Sequence, residues 1–140
     1  MKVLVDSSIW SLMLRRKSPG VNRETEILLQ LIQERRALLI GAIRQEILTG
    51  ISHRLAFERL ALKLQAFPDL SLDRGDYVNA ASFANTCRAR GIQGSTTDFL
   101  ICAAAVRHNL AIYTADNDFK HFAEHLPIKL YLKNTNGGLP

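Results

Sequence analysis

Apolar residues recur along this chain with two different periods. Four short runs are nearly continuous: Val3 to Val5, "ALLIG" at 37–41, "LAIYT" at 110–114 and "IKLYL" at 128–132. Runs of this length, bounded by polar or turn residues, predict buried strands. Between them the apolar positions return every three or four residues. That spacing predicts helices in "TEILLQLIQERRA", "AIRQEILTGI", "RLAFERLALKLQAF", "RGDYVNAASFANTCRARG" and "TTDFLICAAAVRHN", with a short last one in "DFKHFAEH". A weaker strand candidate is "DLSLD" at 69–73.

Strands that alternate with helices and show no polar face predict an α/β fold. The expectation is three layers, α/β/α, around a central, mostly parallel sheet of four to five strands. At 140 residues the chain is the size of one domain. We assign that domain to residues 1–133 and read "NTNGGLP" at 134–140 as a flexible tail. There is no internal repeat and no Pro/Ser-rich linker.

In an open parallel sheet, ligands bind beyond the carboxyl ends of the strands. Three acids fall at strand-to-helix junctions: Asp6 closes the first strand, Asp116 follows the third by two residues, and Asp98 opens the helix "TTDFLICAAAVRHN". Asp98 shares the stripe of Ile101, Cys102 and Ala105, so it crowns an apolar face, where an unpaired charge is costly. Glu46 lies about a turn into the helix after "ALLIG", beside a stripe of Ile43, Ile47 and Ile51. Each acid alone is explained by capping, by the helix dipole or, for Glu46, by pairing with Arg44 or a neighbouring helix. Four carboxylates converging from four segments are harder to explain so, because like charges raise one another's pKa. A divalent cation resolves the repulsion, and an all-carboxylate site suits Mg²⁺ or Mn²⁺.

Composition adds the charge expected of a partner. The net charge is +5 and the sequence pI about 9.6. Of 13 Asp and Glu, the four above leave nine against 18 Lys and Arg, an acidic pit in a basic field. Basic residues cluster at Arg15, Arg16 and Lys17, at Arg35 and Arg36, at Arg54, Arg59 and Lys63, and at Arg88 and Arg90. Metal chemistry within a basic surface fits a polyanionic phosphate substrate. No apolar stretch reaches membrane-span length and no secretory leader is visible, so no membrane role and a cytoplasmic location are expected. Cys87 and Cys102 lack metal-ligand spacing and read as core fillers in a reducing compartment. His121 and His125 do not make a zinc motif, because "HFAEH" puts the glutamate in the wrong place.

With these residues in place, the chain resembles the PIN-domain endoribonucleases of the VapC toxin type. The resemblance rests on "VLVDSSIW" at the first strand, "IRQEIL" after the second, "DFLICAAA" from Asp98, and "TADNDF" from Thr114 to Phe119, in that order over nearly the whole chain. It implies that Asp6, Glu46, Asp98 and Asp116 are the family's metal-binding and catalytic acids, with Mg²⁺ or Mn²⁺ as cofactor. It further implies that Ser7, Ser8 and Thr114 orient them and that Asp118 is auxiliary. The implied reaction is metal-assisted hydrolysis of an RNA phosphodiester, leaving 5′-phosphate and 3′-hydroxyl ends. The implied partners are an RNA substrate, a small cognate antitoxin and a second copy of the chain in a homodimer.

Trp10, Met13 and Leu14 in "SIWSLMLRR" fit either the apolar groove that such an antitoxin tail would occupy or a core stripe, and we expect core. The alternatives are a PIN-fold RNA-processing nuclease that is not a toxin, a non-catalytic RNA- or partner-binding domain on the same fold, and a Mg²⁺-dependent phosphoacceptor or phosphatase domain. The last is disfavoured because Asp6 has neither the D-x-D of such phosphatases nor the paired acids of receivers.

Overall fold

The computed structural model describes residues 1–14 and 22–132. The cluster Arg15, Arg16 and Lys17, and the expected tail at 134–140, lie outside the described residues.

Four strands, β1 (Val3–Val5), β2 (Ala37–Leu38), β3 (Ala111–Tyr113) and β4 (Lys129–Leu130), form one parallel sheet in the order β2-β1-β3-β4. Val3 pairs with Ala37 on one side and Ala111 on the other, and Ile112 pairs with Leu130. The strands are continuous apolar runs because both faces are covered: Val3, Leu4, Val5 and Ile112 are all buried. The fold class expected from the sequence is the one observed, an α/β domain with four parallel strands. The fifth strand at 69–73 does not form. Only Asp69 bridges to Leu39, with the Leu70 N–H donating to the Leu39 carbonyl at 2.9 Å. Beyond it the Ser71 carbonyl accepts from Arg107 and Asp73 caps the next helix, so the segment leaves the sheet.

Seven helices are described: α1 (Ser7–Leu14), α2 (Arg23–Gln33), α3 (Gly41–Leu48), α4 (Arg54–Leu64), α5 (Arg74–Ala89), α6 (Thr96–His108) and α7 (Asp118–Ala123). The helix expected to reach Ala37 stops at Gln33, since Arg35 turns left-handed (φ 58°) and Ala37 enters β2. Helix α1 packs against α2 and α3, α5 against α6, and α6 against β3. The chain steps from β1 outward to β2, then returns past β1 to β3. Right-handed crossovers in opposite directions put the connecting helices on opposite faces.

Trp10 is fully buried, its indole N–H donating to the Val5 carbonyl at 3.0 Å, and Met13 and Leu14 pack partly buried against the core. The core reading of this stripe is therefore correct at Trp10. Cys87 and Cys102 are buried free thiols, and burial pushes both upward in pKa, away from reactive thiolate. No helix among the described residues is long and apolar enough to cross a membrane.

Candidate active site

Reversal of chain direction at β1 opens a crevice between the carboxyl ends of β1 and β3. Asp6 leaves β1 there, its backbone N–H donating to the Tyr113 carbonyl of β3 at 2.9 Å. An open cavity of about 1050 Å³ lies over this point. Asp6, Glu46, Asp98 and Asp116 all line it, and among the described residues its lining contains no Lys, Arg or His.

Each acid is delivered by a different local device. Asp6 is the residue before α1, yet its carboxylate does not cap the helix. Its Oδ2 accepts from Ser8 Oγ at 2.7 Å and from Thr114 Oγ1 at 2.8 Å, while its backbone carbonyl takes the Ile9 N–H. The two hydroxyls are themselves oriented, for Ser8 Oγ accepts the Ala115 N–H and Thr114 Oγ1 the Asp116 N–H, both at 3.0 Å. The loop after β3 is thus tied to the first turn of α1 through Asp6.

Glu46 stands on α3, exposed, with Oε1 accepting from Ser7 Oγ at 2.8 Å. It does not pair with Arg44, whose guanidinium is spent on Asp69 and on the Leu64 and Phe67 carbonyls. Asp98 is the third residue of α6 and half of a capping box: Ser95 Oγ accepts the Asp98 N–H, and Asp98 Oδ2 accepts the Ser95 N–H at 3.0 Å. Asp116 accepts the Asp118 N–H on Oδ1 at 2.9 Å, closing the turn into α7.

One regularity runs through the four acids. Each has one oxygen held by a donor of this chain, and among the described residues no hydrogen bond reaches the second oxygen. The carboxylates are oriented without being saturated. Burial, followed by the charges of Asp6 and Asp116, pushes Asp98 up to about 6, against opposing hydrogen bonds from Ser95. Among the described residues no ion pair compensates the negative charge here.

Those features fit a hard divalent cation, which takes carboxylate oxygens and would relieve the repulsion that Asp98 reports. The acids stand around the cavity walls. Among the described residues no three His, Cys, Asp or Glu side chains are already close enough together to hold an ion. Asp118 is exposed at the start of α7 and does not line the cavity, and only its backbone N–H touches the acids. Among the described residues His121 and His125 belong to no metal-binding group.

Further lining residues escaped the sequence reading: Ser95, Thr96 and Thr97 at the start of α6, Gln45 and Thr49 on α3, and Tyr77 on α5. Ser95 was detectable, since S-x-x-D ahead of an apolar run is a capping-box signature. Tyr77 carried no signal, being one aromatic in an amphipathic helix.

An α/β domain with an acidic cavity at its topological switch point is a recognisable class. The PIN domain family model matches residues 3–125, and the chain belongs to that family. Among solved structures, FitAcB from Neisseria gonorrhoeae is 21% identical and covers 92% of this chain and 96% of its own, with a TM-score of 0.71. VapBC-1 from nontypeable Haemophilus influenzae is 13% identical, covers 94% and 97%, and has a TM-score of 0.70. VapBC2 from Rickettsia felis, solved bound to a DNA fragment from its promoter, is 12% identical, covers 94% and 98%, and has a TM-score of 0.65. At these identities the likeness is one of fold. Among curated protein sequences none matches this chain.

Proposed function

We propose that this protein is a Mg²⁺- or Mn²⁺-dependent endoribonuclease, the toxin of a type II pair neutralised by a cognate small antitoxin. The observation that carries the nuclease reading is the set of four carboxylates on one cavity, each, among the described residues, with one oxygen anchored, one unengaged and no cationic side chain beside it in the lining. Asp6, Glu46, Asp98 and Asp116 would hold the metal. When bound, the ion lowers the pKa of water and offsets charge on the phosphate under attack.

The chain's own residues supply orientation. Ser8 and Thr114 fix Oδ2 of Asp6, Ser7 holds Glu46 toward the cavity, and Ser95 sets the angle of Asp98. In the hydrolysis, water forms a new bond to phosphorus in line with the departing 3′ oxygen. That P–O bond breaks, and the 3′ oxygen leaves protonated while the phosphate stays on the 5′ side.

The toxin assignment is supported by the VapC-type motifs in the sequence and by the fold shared with the FitAcB and VapBC chains. An antitoxin and a second copy of the chain are the partners it calls for. Induction of the protein in cells, followed by sequencing of RNA 5′ ends, tests the whole reading. New 5′-phosphate ends at a few sites are expected, with growth arrest that co-expression of a small protein encoded beside the gene relieves. Intact RNA in cells holding folded protein would overturn the nuclease reading. Cleavage without arrest would overturn the toxin assignment alone and leave an RNA-processing nuclease.

A further inference from the structure

The acidic cavity does not end at its acids. Tyr77, Thr96 and Leu100 line it and also line a second cavity of about 260 Å³ between α5 and the start of α6. The two are therefore adjoining parts of one depression, with Tyr77 at the divide. The second cavity is apolar in character: Ala80, Ala81 and Ala84 on one side face Gly94 and Phe99 on the other. Gly94 must stay bare, since a Cβ there would lie 2.6 Å from the Phe122 ring and 3.0 Å from Phe99.

Tyr77 is 56% exposed, and its hydroxyl makes no hydrogen bond within the described residues. An aromatic ring left open on the rim of a charged cavity, beside an apolar slot, is a surface for a planar partner. Farther along α5, Arg88 lines the same slot, is exposed and has no ion-pair partner among the described residues. Tyr77, Ala81, Ala84 and Arg88 are spaced i, i+4, i+7 and i+11, so they share one helix face and span about 16 Å along it. Acid cavity, aromatic rim, apolar slot and free guanidinium follow one another in a line.

We propose that this cleft is a nucleobase subsite: the base adjoining the scissile phosphate stacks on Tyr77 in the slot, and Arg88 meets a backbone phosphate beyond it. The assignment rests on the nuclease reading and deepens it by naming how the substrate is held. Stacking on an aromatic face is tolerant of base identity and strong enough to set register. The slot's volume admits one base, and its small side chains leave the room. Tyr77 is then a substrate-contacting residue for a single-stranded RNA, and duplex RNA, with its bases already stacked, is excluded from the slot.

The test compares wild type with Tyr77→Ala, Tyr77→Phe and Arg88→Ala on a single-stranded RNA oligonucleotide carrying one mapped cleavage site, and on the same RNA made abasic beside that site. Tyr77→Ala is expected to raise KM about tenfold or more, with Tyr77→Phe restoring it. The abasic RNA should show the same loss with wild type and no further loss with Tyr77→Ala. Equal KM for wild type and Tyr77→Ala on RNA that wild type cuts would overturn the subsite and leave the nuclease reading intact. A loss that accompanies a fall in molecular mass by sedimentation would also overturn it, assigning Tyr77 to contact between copies. Wild-type protein that cuts no RNA overturns the nuclease reading and the subsite with it.

Discussion

Asp98 occupies the third position of α6, where the free N–H groups of the helix favour a carboxylate and burial opposes it. Burial and the neighbouring Asp6 and Asp116 win, lifting its pKa to about 6 from an ordinary value near 3.8. The folded protein therefore holds a proton that the unfolded chain has already released between about pH 4 and 6. In that window the folded state binds more protons, so stability falls as pH rises and levels off above 6. For a partly buried group screened by solvent, the loss is on the order of 1 kcal/mol. Thermal melts in EDTA across this range should show the decline in wild type and a flatter profile in Asp98→Asn. Identical profiles would mean that Asp98 is not strained. The sequence revealed Asp98 because an acid on the Ile101, Cys102, Ala105 stripe broke the hydrophobic pattern. The hydrophobic pattern did not reveal how Asp6 is held, and only the family resemblance pointed to Ser8 and Thr114, since the bonds of Thr114 to Ser8 and Asp6 join residues 106 and 108 positions apart.

Helices α5 and α6 carry this half of the site, and they are pinned by a pair that periodicity could not show. Asp76 is fully buried, shares a capping box with Asp73, and accepts from Arg107 Nε at 2.7 Å and from a terminal guanidinium nitrogen at 2.8 Å. The Arg107 guanidinium beside it holds its carboxyl below the usual range. Arg107 also reaches the Ser71 carbonyl, so one side chain joins α6, α5 and the segment before α5. Arg107→Ala would leave a buried carboxylate unpaired and should cost about 2–3 kcal/mol by urea unfolding, whereas a surface ion pair would cost under about 1. The same contact explains the missing fifth strand: "DLSLD" alternates as a strand does, but Arg107 and the α5 cap take the groups a ladder would need. The four core strands were legible because each is apolar on both faces. Their ends were not, because the left-handed Arg35 and the bridge of Leu39 to Asp69 depend on tertiary pairing rather than on local pattern.

Across the molecule, the topology turns four separate sequence signals into one place. The order β2-β1-β3-β4 sets Asp6 and Asp116 on neighbouring strand ends, and α3 and α6 bring Glu46 and Asp98 to the same cavity. In isolation Asp6, Asp98 and Asp116 could be read as caps or dipole partners and Glu46 as an ion-pair partner, and the first three do accept a hydrogen bond from the chain near them. What the sequence could not supply is that, among the described residues, every one keeps an oxygen in reserve around a cavity with no cationic side chain in its lining, within a chain of net charge +5. The central claim is that these reserved oxygens hold a metal for RNA hydrolysis. It is tested most directly by incubating a single-stranded RNA with wild type and with Asp6→Asn, each shown folded by circular dichroism, in Mg²⁺ or Mn²⁺ and in EDTA. Wild type should cut the RNA to 5′-phosphate ends only with metal. Asp6→Asn should be at least about 100-fold slower while melting no lower than wild type in EDTA, since one repelling charge is gone. Cleavage by Asp6→Asn at the wild-type rate, or cleavage undiminished by EDTA, would contradict the account.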